Sequence, residues 1–243
     1  MGCWTDVRSI MNEAPDSANG DARISYHRPR LHRKYCAGNG VRPMFGRNML
    51  TITSLAVMDN AEVLARYAAI SQQAGLVPIV EPEVLMTHDQ PIERSIEAHI
   101  AAYSAIFERL ALHKVDFAGL VLKASMVVPG QEYQKKASAN QVAEATVHVL
   151  SKTVPPLVPT IVFLSGGLSD ADSIDFLNAI NKRKQQNPSA APWALTFSFG
   201  RALQGVAMQA WADGNTEDAQ KKWVDRALWS GQASEGKYEG GCP

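Results

Sequence analysis

These 243 residues predict a parallel α/β sheet, on three grounds. Short apolar runs alternate with longer stretches of helical spacing four times over, the pattern of strand, helix and right-handed crossover. Each apolar run ends on a polar group. The polar ends fall at Glu81, Lys123, Ser165 and Arg201, which are 42, 42 and 36 residues apart, the pitch of a repeated βα unit.

The elements follow in order from about residue 50. Asp59-Asn-Ala-Glu62 predicts a helix start, with an Asp cap and a Glu three residues on, and Val63, Leu64, Tyr67, Ala68 and Ile70 give it one apolar face. Gly75 stops that helix, and Val77-Pro-Ile-Val-Glu-Pro-Glu83 follows as a strand. Pro91 opens a long helix on which Ile92, Ile96, His99, Tyr103, Phe107 and Leu110 recur at helical spacing, so His99 is expected in the core. Phe117 to Lys123 is the second strand. Ser138-Ala-Asn-Gln141 is a capping box for the next helix. Thr160–Ser165 is the third strand, Gly166-Gly167 its turn, and Ser169 starts a helix bearing Ile174, Leu177 and Ile180. A polar insert, Lys182–Ala191, leads to the fourth strand, Trp193–Ser198. Gly200-Arg201 opens one more helix and Asn215-Thr-Glu the last.

Residues 1–48 read differently. No helical or strand period persists there, and proline interrupts the basic run Tyr26–Tyr35. Eight of the Lys and Arg residues lie within residues 1–49 against four acids, so a nucleic-acid arm is one reading of the segment. A disordered leader is the favoured one, because a single basic run without a partner fold carries little information. The expected division is a basic leader at 1–48 and a folded unit at 49–243.

Composition narrows the class. Hydrophobic residues make up 46% and charged residues 20%, and 24 Lys and Arg balance 24 Asp and Glu, so no net field points to nucleic acid or an anionic membrane. No apolar run approaches the roughly 18 residues of a membrane span, and the N-terminus lacks a signal-peptide core. Cys3, Cys36 and Cys242 have no metal spacing and no disulfide pattern, which suits a reducing compartment; the expectation is cytoplasmic. His88, His99, His113 and His148 form no ligand grouping, so no metal is expected.

The candidate chemistry lies at the strand ends. An apolar run climbing to Lys123 either buries an amine that could serve as a nucleophile or lets a surface lysine snorkel. Strand alternation puts Val77, Ile79, Glu81 and Glu83 on one side of their strand and Gly119, Val121 and Lys123 on one side of theirs. Two acids and a lysine can thus converge on one cavity, although Glu81 and Glu83 could equally be a solvated strand end. Ser165-Gly166-Gly167 is a phosphate-cradling turn or an ordinary one. Arg201 at a helix N-terminus is electrostatically unfavourable alone, which favours a bound anion.

Taken together, Val77–Glu83, Leu122-Lys-Ala-Ser-Met126 with Val128-Pro-Gly130, Phe163-Leu-Ser-Gly-Gly167 and Ala194–Ala202 resemble the class I fructose-bisphosphate aldolases. Ala61–Tyr67 and Leu177–Asn181 add to the resemblance, which runs in order from about residue 50 to Tyr238. It implies strands 5–8 of a (β/α)8 TIM barrel, the C-terminal half, after an irregular N-terminal segment. It also implies a metal-free glycolytic lyase that cleaves fructose 1,6-bisphosphate into dihydroxyacetone phosphate and glyceraldehyde 3-phosphate, usually as a homo-oligomer. By resemblance Lys123 would form the Schiff base, Glu81 would be the acid/base for carbinolamine dehydration, and Glu83 would position the lysine. Ser165, Gly166, Gly200 and Arg201 would hold a substrate phosphate. The family's strand-1 aspartate and its phosphate-binding and lysine-tuning lysines on strands 3 and 4 have no counterpart here, nor does its terminal tyrosine. A truncated aldolase, open at both sheet edges and able to pair face to face, is therefore expected. A non-catalytic remnant that binds a sugar phosphate or an intact aldolase subunit is the alternative.

Overall fold

The computed structural model describes residues 34–38, 54–85 and 89–242. The basic run Tyr26–Tyr35 lies almost wholly outside them, as do Cys3 and His88. Among the described residues five parallel strands form one sheet in the order β1-β2-β3-β4-β5. They are β1 (Lys34–Gly38), β2 (Leu76–Val80), β3 (Val121–Ala124), β4 (Thr160–Phe163) and β5 (Ala194–Phe197). Among the described residues six α-helices accompany them: α1 (Ser54–Gln73), α2 (Ile92–Leu112), α3 (Ala139–Thr153), α4 (Asp170–Gln186), α5 (Arg201–Ala212) and α6 (Thr216–Ser234).

The caps explain most of the boundaries. Ser138 accepts from the backbone N–H of Gln141 while Gln141 reaches back to the Ser138 N–H, the expected capping box. Ser169 and Asn215 cap α4 and α6 by accepting from the N–H groups of Asp172 and Asp218. Gly75 ends α1 at φ +74°, a left-handed position that suits glycine.

Four expectations need correction. Helix α1 starts at Ser54, so Asp59 lies inside it; Leu55, Ala56 and Met58 are sound helix formers that extend it. Phe117–Gly119 is a turn of 3₁₀ helix because the Asp116 carboxylate accepts from the Ala118 N–H, and the strand begins only at Val121. Half of the polar insert at 182–191 continues α4 to Gln186. Residues 34–38, which show no strand period, pair with β2 from Lys34 opposite Leu76 to Gly38 opposite Val80. A parallel ladder is made by backbone groups, so a segment can pair without apolar alternation.

The two faces of the sheet differ. One carries Val80, Leu122, Ala124, Ile161, Phe163 and Leu195 into the main core beneath the helices. His99, fully buried, lies in the same layer as expected, its ring edge-on to Tyr103 at 5.6 Å. Removing a large side chain here, such as Phe163, costs about 3–5 kcal/mol through lost transfer energy and the cavity left behind. The other face carries a separate small cluster, Val77, Val121 and Val162, with Ile79 against it. That is the face on which the candidate residues stand.

The chain's last turn is tied down. Asn178 Nδ2 donates to the Tyr238 carbonyl at 2.9 Å and Asn178 Oδ1 accepts from the Tyr238 N–H at 3.1 Å. Buried Arg226 pairs with Asp170 at 3.1 Å, linking α6 to the start of α4.

Candidate active site

Register brings the lysine to the acids. Ile79 is opposite Val121 and Val80 opposite Leu122, so on the next step along both strands Glu81 comes level with Lys123 on the same face. Lys123 Nζ lies 2.8 Å from Glu81 Oε1, an ion pair with 21% and 23% of the two side chains exposed. Water therefore reaches both groups, and the pair is not sealed inside the core.

Glu83 shares that face as the alternation predicts and reaches across to β4. A Cβ built on Gly166 would lie 2.8 Å from Glu83 Oε1, so only a glycine lets the carboxylate rest there. Gly166 belongs to a β-turn in which the Leu168 N–H donates to the Ser165 carbonyl at 3.3 Å. Gly167 takes φ +77° at the third position, as a type II turn requires. Ser165 is buried, whereas Gly167 is exposed. The loops are joined: Gly130 N–H donates to Gln90 O at 2.9 Å, and Gln131 Nε2 to Gly167 O at 2.7 Å.

The remaining candidates stand apart from this group. Gly200 and Arg201 open α5, both exposed, and no side chain caps that helix. Among the described residues no hydrogen bond or ion pair joins Arg201 to Ser165 or Lys123, and no carboxylate engages its guanidinium. The helix start thus presents uncapped N–H groups and a cation together, a combination that favours an anion. No group of three or more His, Cys, Asp or Glu able to hold a metal occurs among the described residues. No helix among them is long and apolar enough to cross a membrane.

Two residues behind the lysine carry no sequence signal of a place beside the site. The backbone N–H of buried Ser125 donates to the Tyr103 hydroxyl at 3.3 Å, and Ser125 Oγ accepts from the Val84 N–H at 3.4 Å. Burial pushes the Tyr103 phenol far up, partly offset by the bonds from Ser125. Burial likewise lowers His99 to about 4. Its Nδ1–H donates to the Ser95 carbonyl at 2.7 Å, which leaves Nε2 bare and without a partner. Apolar helical spacing places His99 and Tyr103 in the core, but spacing says nothing about which strand end a buried hydroxyl will reach.

Parallel strands walled by helices, with the polar candidates at or just past their C-terminal ends, have the arrangement of part of a (β/α) barrel, the fold whose sites lie at that end. The family model for class-I fructose-bisphosphate aldolase matches residues 40–243, starting ahead of the boundary expected at 49. Fructose-bisphosphate aldolase C of Homo sapiens is 45% identical over 192 residues, which cover 78% of this chain and 52% of that protein. The fructose-bisphosphate aldolase of Echinococcus multilocularis is 48% identical over 188 residues, 76% of this chain and 51% of that one. A solved structure of fructose-bisphosphate aldolase from Plasmodium falciparum, in complex with TRAP and a small-molecule inhibitor, aligns with a TM-score of 0.73 at 40% identity. That alignment covers 78% of this chain and 54% of the other.

The chain therefore belongs to the class-I fructose-bisphosphate aldolase family, with the fold of the C-terminal half of its TIM barrel. It spans about half the length of the curated relatives it matches.

Proposed function

We propose that this chain is a fructose-bisphosphate aldolase of glycolysis that works through a Schiff base on Lys123. The observation that carries the reading is the 2.8 Å contact between Lys123 Nζ and Glu81 Oε1 at neighbouring strand ends. Glu81 is placed to take a proton from the ammonium and free its lone pair for attack on the C2 carbonyl of the open-chain sugar. The carbinolamine hydroxyl then leaves as water, carrying the proton that Glu81 returns, and an iminium remains. When the C3–C4 bond breaks, its electron pair flows into the iminium and gives an enamine. The C4 hydroxyl surrenders its proton to a carboxylate, and glyceraldehyde 3-phosphate departs. Protonation of the enamine at C3 and hydrolysis release dihydroxyacetone phosphate and restore the amine. Glu83, the second carboxylate on that face, positions the lysine and leaves Glu81 free to move protons.

Ser165 and Gly166 on one side, and Gly200 and Arg201 on the other, hold a phosphate of the substrate. The uncapped α5 N-terminus and the unengaged guanidinium support that role. No metal or cofactor takes part in this reading, and a cytoplasmic homo-oligomer is the setting that suits it. The basic segment joins the sheet at Lys34–Gly38, and the chain's balanced charge gives no support to a nucleic-acid partner.

Cleavage of fructose 1,6-bisphosphate by the purified chain, beside Lys123→Ala, tests the reading. Activity in the first and none in the second is the expected result. A borohydride-trapped adduct without turnover would instead favour a chain that binds sugar phosphates but does not cleave them, as its half-length match to the relatives would allow.

A further inference from the structure

We propose that Tyr103 and Ser125 are positioning residues for the Lys123–Glu81 pair: a buried hydrogen-bonded tie that runs from α2 through the end of β3 to the segment following β2. The inference rests on the aldolase reading for its meaning, but its geometry stands independently.

The tie lies where the sheet stops helping. Between β2 and β3 the paired residues end at Val80 and Leu122, one position short of Glu81 and Lys123. On its other side β3 is still held, because Leu164 N–H donates to Ala124 O at 3.0 Å. On the β2 side, Ser125 Oγ takes up the connection by accepting from Val84 N–H at 3.4 Å, just past Glu81 and Glu83. Ser125 is in turn fixed from beneath, its N–H donating to the Tyr103 hydroxyl at 3.3 Å. Tyr103 is pinned by the edge-on ring of His99, which bonds back to its own helix at Ser95. Ser125 and Tyr103 are each 1% exposed, so water cannot replace either bond without opening the core. A side chain two residues beyond the lysine therefore sets how far the acid-bearing segment stands from the amine. Displacements of about 1 Å at a reacting pair cost around 100-fold in rate, so such a tie matters to the chemistry more than to the fold.

The experiment uses the full chain as Tyr103→Phe, Ser125→Ala and Ser125→Thr, the last keeping an Oγ acceptor. Two readouts are taken together. Trace acetic anhydride labelling, read by mass spectrometry, gives the reactivity of Lys123 relative to exposed Lys221, with no need for aldolase activity. Borohydride trapping with saturating dihydroxyacetone phosphate gives the rate of adduct formation. We expect Tyr103→Phe and Ser125→Ala to change relative Lys123 labelling at least threefold and to slow trapping about tenfold, with far-UV circular dichroism unchanged and Ser125→Thr close to the parent. Unchanged Lys123 labelling in both variants overturns the tie, even where the parent chain is trapped. Altered labelling in a chain that is never trapped upholds the tie and removes the aldolase reading. Should Ser125→Ala fail to fold, Tyr103→Phe, which deletes one oxygen, decides the matter alone.

Discussion

The two corners of the candidate site are built in opposite ways. At the β2–β3 corner Lys123 and Glu81 touch, Glu83 is wedged over Gly166, and a buried serine and tyrosine brace the backbone behind them. At the β5–α5 corner Gly200 and Arg201 are exposed, the helix start is uncapped and open space surrounds the position of a Gly200 Cβ. The first corner already has its partners within the chain, while the second has uncapped N–H groups and an exposed cation. Proton transfer demands fixed geometry at hydrogen-bond range, whereas a phosphate brings its own charge and acceptors to whatever donors face it. On the proposed aldolase reading, bond-making chemistry falls to the braced corner and ligand capture to the open one.

Substitutions put that contrast at risk. Lys123→Met should abolish borohydride trapping altogether, whereas the β5–α5 variants leave it measurable at high ligand concentration. Glu81→Gln should keep the fold and slow adduct formation by about 100- to 10,000-fold, the usual worth of a positioned acid/base; unchanged trapping rates would move proton transfer to another group.

The packing behind the braced corner has a pH signature. His99 is held near 4 against its ordinary 6.5, so between those values the unfolded chain binds a proton that the folded chain does not. Its contribution is present in full above pH 6.5 and is lost as pH falls towards 4, by roughly 3 kcal/mol in all. His99→Phe should flatten that limb of a stability-against-pH curve measured by denaturant unfolding, and an unaltered slope would contradict the assignment.

The open corner should respond in affinity. Arg201→Ala should weaken phosphate-bearing ketones about 10- to 100-fold, as expected for a charge-assisted hydrogen bond of roughly 1.5–3 kcal/mol, and leave dihydroxyacetone unaffected. Equal losses for both ligands would show that Arg201 does not read the phosphate. The smallest effect belongs to Gly166→Ala. The atom its Cβ meets is the flexible end of Glu83, so the carboxylate can swing aside; thermal stability should barely change while trapping slows only a few-fold.

Much of this is legible in the residues because the signals are periodic or local. Strand alternation gives Glu81 and Lys123 each a side of its own strand, which the β2–β3 register makes one face, and the capping box at Ser138–Gln141 forms as its residues dictate. The apolar spacing around His99 correctly puts it in the core. Other features depend on partners distant in sequence. The strand at Lys34–Gly38 is defined by its backbone ladder to β2, which leaves no pattern in its own sequence. The 3₁₀ turn at Phe117–Gly119 overrides an apolar run because one Asp116 oxygen captures a backbone N–H. Nothing beside Ser125 in the sequence marks its contacts, since its hydrogen-bond partners Val84 and Tyr103 lie elements away along the chain.

Whether Lys123 is the amine that meets a ketose carbonyl can be decided by where the carbon goes. The full chain is incubated with dihydroxyacetone phosphate, reduced with borohydride, digested and sequenced by mass spectrometry. We expect a single reduced adduct on Lys123, absent without ligand and abolished by an excess of a fructose 1,6-bisphosphate analogue. An adduct spread over surface lysines such as Lys221 and Lys152, or none at all, would contradict the assignment of Lys123 as the nucleophile.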